Sequence, residues 1–129
     1  MQKTILLVDD DEEEYYIIKL ALEMAKNDCR CIWASSLEEA TELLKELQPD
    51  FVFIDINMPK HDGFCCLKHL KQVEKLHRAV FVIYSTHISE ADRKMALQSG
   101  ASYCIHKPEN IHMLLDELMI LLSNKTHCS

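Results

Sequence analysis

The feature that most constrains the fold is an alternation of short, continuously apolar runs with longer segments of helical periodicity. Strands covered on both faces of a sheet typically lack polar alternation. Five such strands alternating with five helices predict a parallel α/β sheet with right-handed crossovers. The predicted strands are Thr4–Val8, Cys31–Ala34, Phe51–Ile54, Val80–Tyr84 and Ser102–Ile105.

The segments between the strands carry apolar stripes that are expected to face the core. The stripes are Ile18, Ala21, Leu22 and Ala25; Leu37, Ala40, Leu43, Leu44 and Leu47; Phe64, Leu67 and Leu70; and Ile111, Leu114, Leu115, Leu118, Leu121 and Leu122. Ser36-Leu37-Glu38-Glu39 predicts a capping box at the start of the second helix. The segment Glu90–Ser99 has a weaker face of Ala91, Met95 and Ala96 or Leu97, so we expect a lightly anchored helix that shifts at low cost.

The two glycines and the chain end give three further predictions. Gly100 follows the weak helix, where a left-handed cap is favoured. Gly63 begins the third helix after a turn formed by Met58-Pro59-Lys60-His61-Asp62. The tail after Leu122 is expected to fray.

Composition narrows the class of protein. A length of 129 residues predicts one domain, residues 1–129, with a core of about residues 3–123. The net charge of −7 argues against a partner that is nucleic acid or an anionic membrane. The six cysteines have no zinc-ligand spacing, and no apolar run approaches a membrane span. We therefore expect a cytoplasmic protein with reduced thiols. Met1 leads almost directly into the first strand, so we expect no signal peptide before that strand.

Polar residues follow the predicted strands at the points where the strands end. In an open parallel sheet, ligands bind beyond the carboxyl ends of the strands. Ser35 and Ser36, after the second strand, instead look like helix-start residues. The other residues delivered at that edge are Asp9 and Asp10, Asp55, Ser85 and Thr86, and Lys107 with Pro108.

Three carboxylates that converge in a crevice would repel one another unless a cation neutralises them. Mg²⁺ prefers oxygen ligands and uses one or two carboxylates, which leaves Asp55 able to act as a nucleophile. Lys107 and Ser85 are placed to stabilise a developing phosphoryl charge. Each residue alone has a simpler interpretation. For example, the acids from Asp9 to Glu14 would favour a helix start through the helix dipole. The joint pattern, at one end of several strands, favours the phosphoryl chemistry.

The sequence resembles the receiver domains of two-component response regulators over Ile5 to Leu122. The resemblance implies a flavodoxin-like fold with strand order 2-1-3-4-5. The motifs that carry it are Leu7-Val8-Asp9-Asp10-Asp11, Phe53-Ile54-Asp55-Ile56-Asn57-Met58-Pro59, Asp62-Gly63, Ile83-Tyr84-Ser85, and Gly100-Ala101 leading to Lys107-Pro108.

The resemblance also implies residue roles. Asp55 is the phosphoacceptor, Ser85 the switch hydroxyl and Lys107 the counter-ion of the phosphoryl group. Mg²⁺ is held by Asp10 and Asp55 directly, by Asp9 mainly through water, and by the backbone carbonyl of Asn57. A cis peptide bond is implied between Lys107 and Pro108.

Two positions, Thr86 and Cys104, depart from the commonest family pattern, and His87 follows the first of them. Thr86 stands where an alanine is frequent, and its larger side chain predicts a long-lived phosphoryl group because it narrows the path for water. His87 either contacts the phosphoryl group or a partner, or is a solvated loop residue, which we favour. Cys104 replaces the usual aromatic residue, so the output runs through the Glu90–Ser99 helix and its preceding loop, or Tyr84 or Tyr103 substitutes. We favour the first route.

We expect a stand-alone signalling switch rather than an enzyme with an external substrate. It either signals to a protein partner through a conformational change or passes the phosphoryl group onward as a relay intermediate, and the sequence does not choose between the two. The resemblance implies a sensor histidine kinase or histidine phosphotransfer protein as donor, which contacts the first helix. We expect a monomer or a weak homodimer and an unidentified downstream protein. Output or self-association would use the last two helices and the fifth strand. A phosphorylation-independent pseudo-receiver is the alternative. An aspartate-nucleophile phosphatase fits poorly, because Asn57 stands where that class has a second aspartate.

Overall fold

The computed structural model describes residues 2–58 and 62–127 and shows one five-stranded parallel sheet. The strand order is β2-β1-β3-β4-β5, which confirms the order implied by the resemblance. Strands β1 and β3 coincide with the prediction, and the others differ from it by single residues at their ends. The strands are β1 Thr4–Val8, β2 Arg30–Ala34, β3 Phe51–Ile54, β4 Val80–Ser85 and β5 Tyr103–His106.

Five α-helices connect and follow the strands, as predicted. They are α1 Glu12–Met24, α2 Leu37–Leu43, α3 Gly63–Lys71, α4 Glu90–Gln98 and α5 Ile111–His127, with a short 3-10 helix at Glu74–Leu76. Helix α5 continues to His127, five residues beyond the end of the predicted stripe at Leu122, and the fraying of this end stays a prediction. No glycine or proline interrupts that stretch, so nothing in the backbone stops the helix. Pro59, Lys60 and His61 of the predicted turn, and Cys128, lie outside the described residues.

Apolar side chains pack on both faces of the sheet, which explains the continuously apolar strands. Helices α1 and α5 cover one face, where Ile18, Phe53, Tyr84 and Leu118 are buried together. Helices α2, α3 and α4 cover the other face. The four predicted stripes thus form the core or pack against it, except at Ala25 and Leu47. No helix in the described part of the chain is long and apolar enough to cross a membrane.

Polar side chains cap the helix starts, two of which bear on the predictions. Ser36 accepts a hydrogen bond from the Glu39 N–H, as predicted, but the Glu39 carboxylate accepts from the N–H of Ser35 rather than of Ser36. The predicted capping box at α2 is therefore only half formed. A complete one begins α4, where Ser89 and Asp92 each accept a hydrogen bond from the other's backbone N–H.

Helix α4 is lightly anchored, as its weak apolar face predicted. Ala96 is its only buried residue among those described, while Met95 and Leu97 are 45% and 57% exposed. Ala91, also assigned to the apolar face, is exposed. Gly100 ends the helix with φ of 107°, the left-handed conformation expected there. A helix with one buried residue loses little packing energy when it moves.

Candidate functional site

Three carboxylates meet at the carboxyl edge of the sheet. Asp9 and Asp10 follow β1, and Asp55 follows the adjacent β3, so parallel pairing brings them together. Each offers an oxygen within 4.8 Å of the others. Asp9 and Asp55 are buried, whereas Asp10 is exposed. The cluster is therefore exposed to solvent at Asp10.

The ammonium group of Lys107 lies between two of these carboxylates. Its Nζ donates to Oδ2 of Asp9 at 2.8 Å and to Oδ2 of Asp55 at 3.1 Å. The backbone N–H of Lys107 donates to the carbonyl of Ser85 at 2.9 Å, which fixes the start of the side chain at the sheet edge. Burial opposes the charge on Lys107, but the two carboxylates outweigh it and hold the pKa of this group above 10.5.

The peptide bond between Lys107 and Pro108 is trans, so the predicted cis bond is wrong. The trans form of an X–Pro bond is favoured by about 0.5–1 kcal/mol unless the surroundings oppose it. Here they do not, because the Lys107 N–H keeps its ladder hydrogen bond and the ammonium still reaches Asp9 and Asp55.

Burial of Asp9 raises its pKa to about 6 from 3.8. The hydrogen bonds donated by Lys107 and by the Asp11 N–H limit this rise, and the charge of Asp55 adds to it. Part of the repulsion within the cluster is therefore relieved by a proton at mildly acidic pH. A divalent cation would relieve it in the same way.

Two groups donate hydrogen bonds to the other carboxylate oxygen of Asp55. Oδ1 accepts from the hydroxyl of Ser85 at 2.8 Å and from the backbone N–H of Asn57 at 2.8 Å. Ser85 is fully buried at the end of β4, the strand next to β3. Asp55 thus has a cation on one oxygen and two hydrogen-bond donors on the other, as a site built to hold negative charge requires.

The side chain of Asn57 connects two loops in a way that the sequence did not indicate. Its Nδ2 donates to Oγ of Ser85 at 2.6 Å and to the carbonyl of His87 at 3.0 Å. The resemblance implied a role for Asn57 only through its backbone carbonyl, as a ligand of Mg²⁺, and that role stays a prediction. An asparagine amide can reach partners in several directions, so sequence alone gave no signal for these two.

Three more residues contact the site and were not assigned this position from sequence. Glu14 places Oε2 3.7 Å from Nζ of Lys107 and accepts from the Tyr84 hydroxyl at 3.3 Å. Trp33, on β2, donates its indole N–H to the backbone carbonyl of Asp9 at 2.7 Å. Burial, followed by the charge of Glu14, raises the pKa of Tyr84, so its hydroxyl stays a donor.

The remaining predicted positions lie around this centre. Thr86 and His87 are exposed, which agrees with the solvated interpretation of His87. Cys104 is half-buried against the core cluster that contains α4, whereas Tyr84 and Tyr103 pack on the opposite face with α1 and α5. Both tyrosines thus lie on the face of the sheet opposite to α4.

The donor set fits a hard divalent cation. Asp9, Asp10 and Asp55 offer only carboxylate oxygens, and no nitrogen or sulfur ligand belongs to the described cluster. Mg²⁺ prefers oxygen ligands and keeps several waters, which the exposed side of Asp10 allows. Softer metals that favour thiolate or imidazole have no matching ligands here.

The comparisons with known proteins agree with this fold. The family described as response regulator receiver domain matches residues 5–119. The chain is 33% identical over 114 residues to the probable C4-dicarboxylate response regulator DctR of Bacillus subtilis, covering 88% of this chain and 50% of that protein. It is 34% identical over 125 residues to the transcriptional regulatory protein CpxR of Escherichia coli, covering 97% and 51%. The chain therefore spans about half the length of these curated relatives.

Solved structures show the same fold. A phosphorylated cyanobacterial phytochrome response regulator, RcpA, superposes with a TM-score of 0.84 at 24% identity, covering 100% of this chain and 97% of that chain. A CheY-like receiver domain protein from Methanospirillum hungatei gives a TM-score of 0.81 at 22% identity, with both chains fully covered. The fold and the site define a two-component signalling domain. The chain belongs to the response regulator receiver family.

Proposed function

We propose that the protein is a phosphorylation switch, in which Asp55 accepts a phosphoryl group from a phosphohistidine. The observation that carries the proposal is the environment of Asp55. Its Oδ2 faces the Lys107 ammonium at 3.1 Å and its Oδ1 faces the Ser85 hydroxyl at 2.8 Å. A carboxylate is ionised at neutral pH without a base, so it needs only positioning and charge stabilisation to act as a nucleophile.

The proposed transfer forms one bond and breaks one. A carboxylate oxygen of Asp55 attacks the phosphorus, the bond from phosphorus to the histidine nitrogen breaks, and the imidazole leaves with that electron pair. Lys107 and Ser85 stabilise negative charge on the phosphoryl oxygens. Mg²⁺, held by Asp9, Asp10, Asp55 and the carbonyl of Asn57, would supply further charge neutralisation when bound.

We propose a sensor histidine kinase or a histidine phosphotransfer protein as the donor, and a downstream protein as the receiver of the signal. Receiver domains serve two-component signalling, so a switch that modifies itself is favoured over turnover of an external substrate. The pseudo-receiver alternative is not favoured, because Asp9, Asp10, Asp55, Ser85 and Lys107 are all present and close together.

The proposed output route runs through the loop after Ser85 and through α4. This loop joins Ser85 to Ser89, and the Asn57 amide holds its His87 carbonyl. Helix α4 has one buried residue among those described, Ala96, so a shift of the loop moves it at low cost. Phosphorylation is expected to change the backbone amide shifts of residues 86–98. Unchanged shifts there would contradict this route.

The test of the proposed function is the intact mass after incubation with acetyl phosphate and Mg²⁺. We expect one added phosphoryl group on the wild-type protein and none on Asp55→Asn or without Mg²⁺. Asp62→Asn is the matched control, because Asp62 is an exposed aspartate whose described role is to cap α3. A wild-type protein that gains no mass from acetyl phosphate or from a phosphorylated histidine donor would contradict the proposal.

A further inference from the structure

Besides Asp9 and Asp55, a third carboxylate, that of Glu14, lies beside the ammonium group of Lys107. Its Oε2 is 3.7 Å from Nζ, and the two side chains are 15% and 11% exposed. Glu14 is in the first turn of α1, next to two other acids that the same helix start would favour. Those acids differ from it in environment, since Glu13 is exposed and Glu12 accepts from Tyr16. Of the three acids in this turn, Glu14 is therefore the one whose carboxylate is placed beside Lys107.

Tyr84 fixes Glu14 from the sheet. Its hydroxyl donates to Oε1 of Glu14 at 3.3 Å, and its ring centroid lies 5.6 Å from Nζ of Lys107. The residue is 1% exposed and immediately precedes Ser85 on β4. A buried hydroxyl needs a partner, and Glu14 is the partner described for it. Tyr84, Glu14 and Lys107 thus form a connected group on the α1 side of the sheet.

The three carboxylates around Lys107 differ in whether their charge or their partners would change during phosphorylation. Asp9 belongs to the cluster that fits a cation, and Asp55 belongs to it as well as being the proposed acceptor. Both would change their charge or partner during the reaction. Glu14 is outside that cluster, so its charge and its hydrogen bond with Tyr84 can stay the same throughout.

We propose that Glu14, fixed by the Tyr84 hydroxyl, is a positioning residue that keeps the Lys107 ammonium beside Asp55 while a phosphoryl group is transferred. The inference rests on the proposed function, which it extends by two residues. Glu14 touches neither donor nor phosphoryl group in this role. It acts through Lys107 by limiting where the ammonium can go when Asp9 and Asp55 take other partners.

The experiment compares Glu14→Gln, Tyr84→Phe and Glu13→Gln in the full chain. Glu14→Gln keeps the shape and removes the charge, and Tyr84→Phe keeps the buried ring and removes the hydroxyl. Glu13→Gln removes the same charge from the same helix turn at an exposed position. Phosphorylation by acetyl phosphate with Mg²⁺ is followed by intact mass over a range of donor concentrations, which separates the maximal rate from the half-saturating concentration.

We expect Glu14→Gln to lower the maximal rate by about three- to fivefold, the size expected from one partly screened ion pair. Tyr84→Phe should act in the same direction by a smaller factor. The half-saturating concentration should change no more than in Glu13→Gln, because that change reports the general loss of negative charge. A maximal rate in Glu14→Gln equal to that in Glu13→Gln would overturn the inference.

A second measurement does not depend on phosphorylation. In protein labelled with ¹³C-lysine and without donor, the Cε signal of Lys107 should shift in Glu14→Gln and in Tyr84→Phe but not in Glu13→Gln. An unshifted signal, with transfer to the wild type intact, overturns the inference and leaves the proposed function standing. A wild-type protein that accepts no phosphoryl group overturns the proposed function, and the transfer role of Glu14 falls with it.

Discussion

The hydroxyl of Ser85 donates a hydrogen bond of 2.8 Å to Oδ1 of Asp55, across the two adjacent strands that carry these residues. Both side chains are buried, so this hydrogen bond replaces one that each group would otherwise form with water. The Asn57 amide approaches the same hydroxyl at 2.6 Å, so one small side chain satisfies two polar neighbours.

Ser85→Ala should therefore reduce the free energy of unfolding by about 1–3 kcal/mol, because a buried carboxylate oxygen and an amide each lose a partner. Urea denaturation without metal measures it. Thr86→Ala is the matched control, since it removes the neighbouring hydroxyl at an exposed position and should change stability by less than about 0.5 kcal/mol. Equal effects of the two changes would show that the Ser85 hydrogen bonds contribute nothing to stability.

Gly63→Ala should destabilise the fold and disturb Asp55. A Cβ at residue 63 would lie 2.5 Å from the backbone oxygen of Asp55 and 2.5 Å from Cα of Ile56. Both are backbone atoms, so α3 or the loop after β3 must move, which typically costs about 1–3 kcal/mol. Urea denaturation should show this loss, and phosphorylation by acetyl phosphate should slow. Lys68→Ala, exposed on the same helix, should do neither. A fully active and stable Gly63→Ala would be inconsistent with this packing.

The titration of Asp9 should make the metal-free protein less stable as pH rises. The folded pKa of about 6 is above the unfolded value of 3.8, so the folded state binds the proton more tightly. This contribution to stability is full below pH 3.8 and is lost as pH rises to about 6. Asp9→Asn should lack this pH-dependent contribution to stability. The urea midpoints of the wild type and of Asp9→Asn, compared across this pH range, measure the difference.

Mg²⁺ should bind more weakly as Asp9 takes up its proton, because a protonated carboxyl is a poor ligand. Fluorescence of Trp33 offers a direct readout, since its indole N–H donates to the backbone carbonyl of Asp9. The apparent Kd for Mg²⁺ should therefore rise as pH falls through about 6. A Kd that is constant across this range would exclude Asp9 from the cation site.

Thr86→Ala should shorten the lifetime of the phosphoryl group. Thr86 follows Ser85 directly and is exposed, and we expect its side chain to narrow the path of water to the phosphoryl group. Removing two heavy atoms should widen that path and raise the hydrolysis rate by about twofold or more. Loss of the added mass with time measures it, and Thr41→Ala, an exposed threonine on α2, is the control. An unchanged lifetime would mean that Thr86 does not limit water.

Much of the fold could be predicted because the strands are short and buried on both faces. A run such as Phe51–Ile54 has no polar residue that another register could use, so its place in a parallel sheet is strongly constrained. Gly100 could be assigned for a similarly local reason, since its φ of 107° is one that other residues rarely adopt. The continuation of α5 to His127 was not predicted, because polar residues weaken the apolar pattern without breaking a helix.

The sequence by itself determined that Asp9, Asp55, Ser85 and Lys107 share one edge, since parallel strands all end on the same side of a sheet. Only the tertiary structure decided which neighbours complete the site. In the acidic run from Asp9 to Glu14, every residue suits a helix start, and the rotation of α1 against the sheet is what turns Glu14 towards Tyr84 and Lys107. Contacts of this kind join residues far apart in the chain, so they follow from how packed elements are oriented and not from any local pattern.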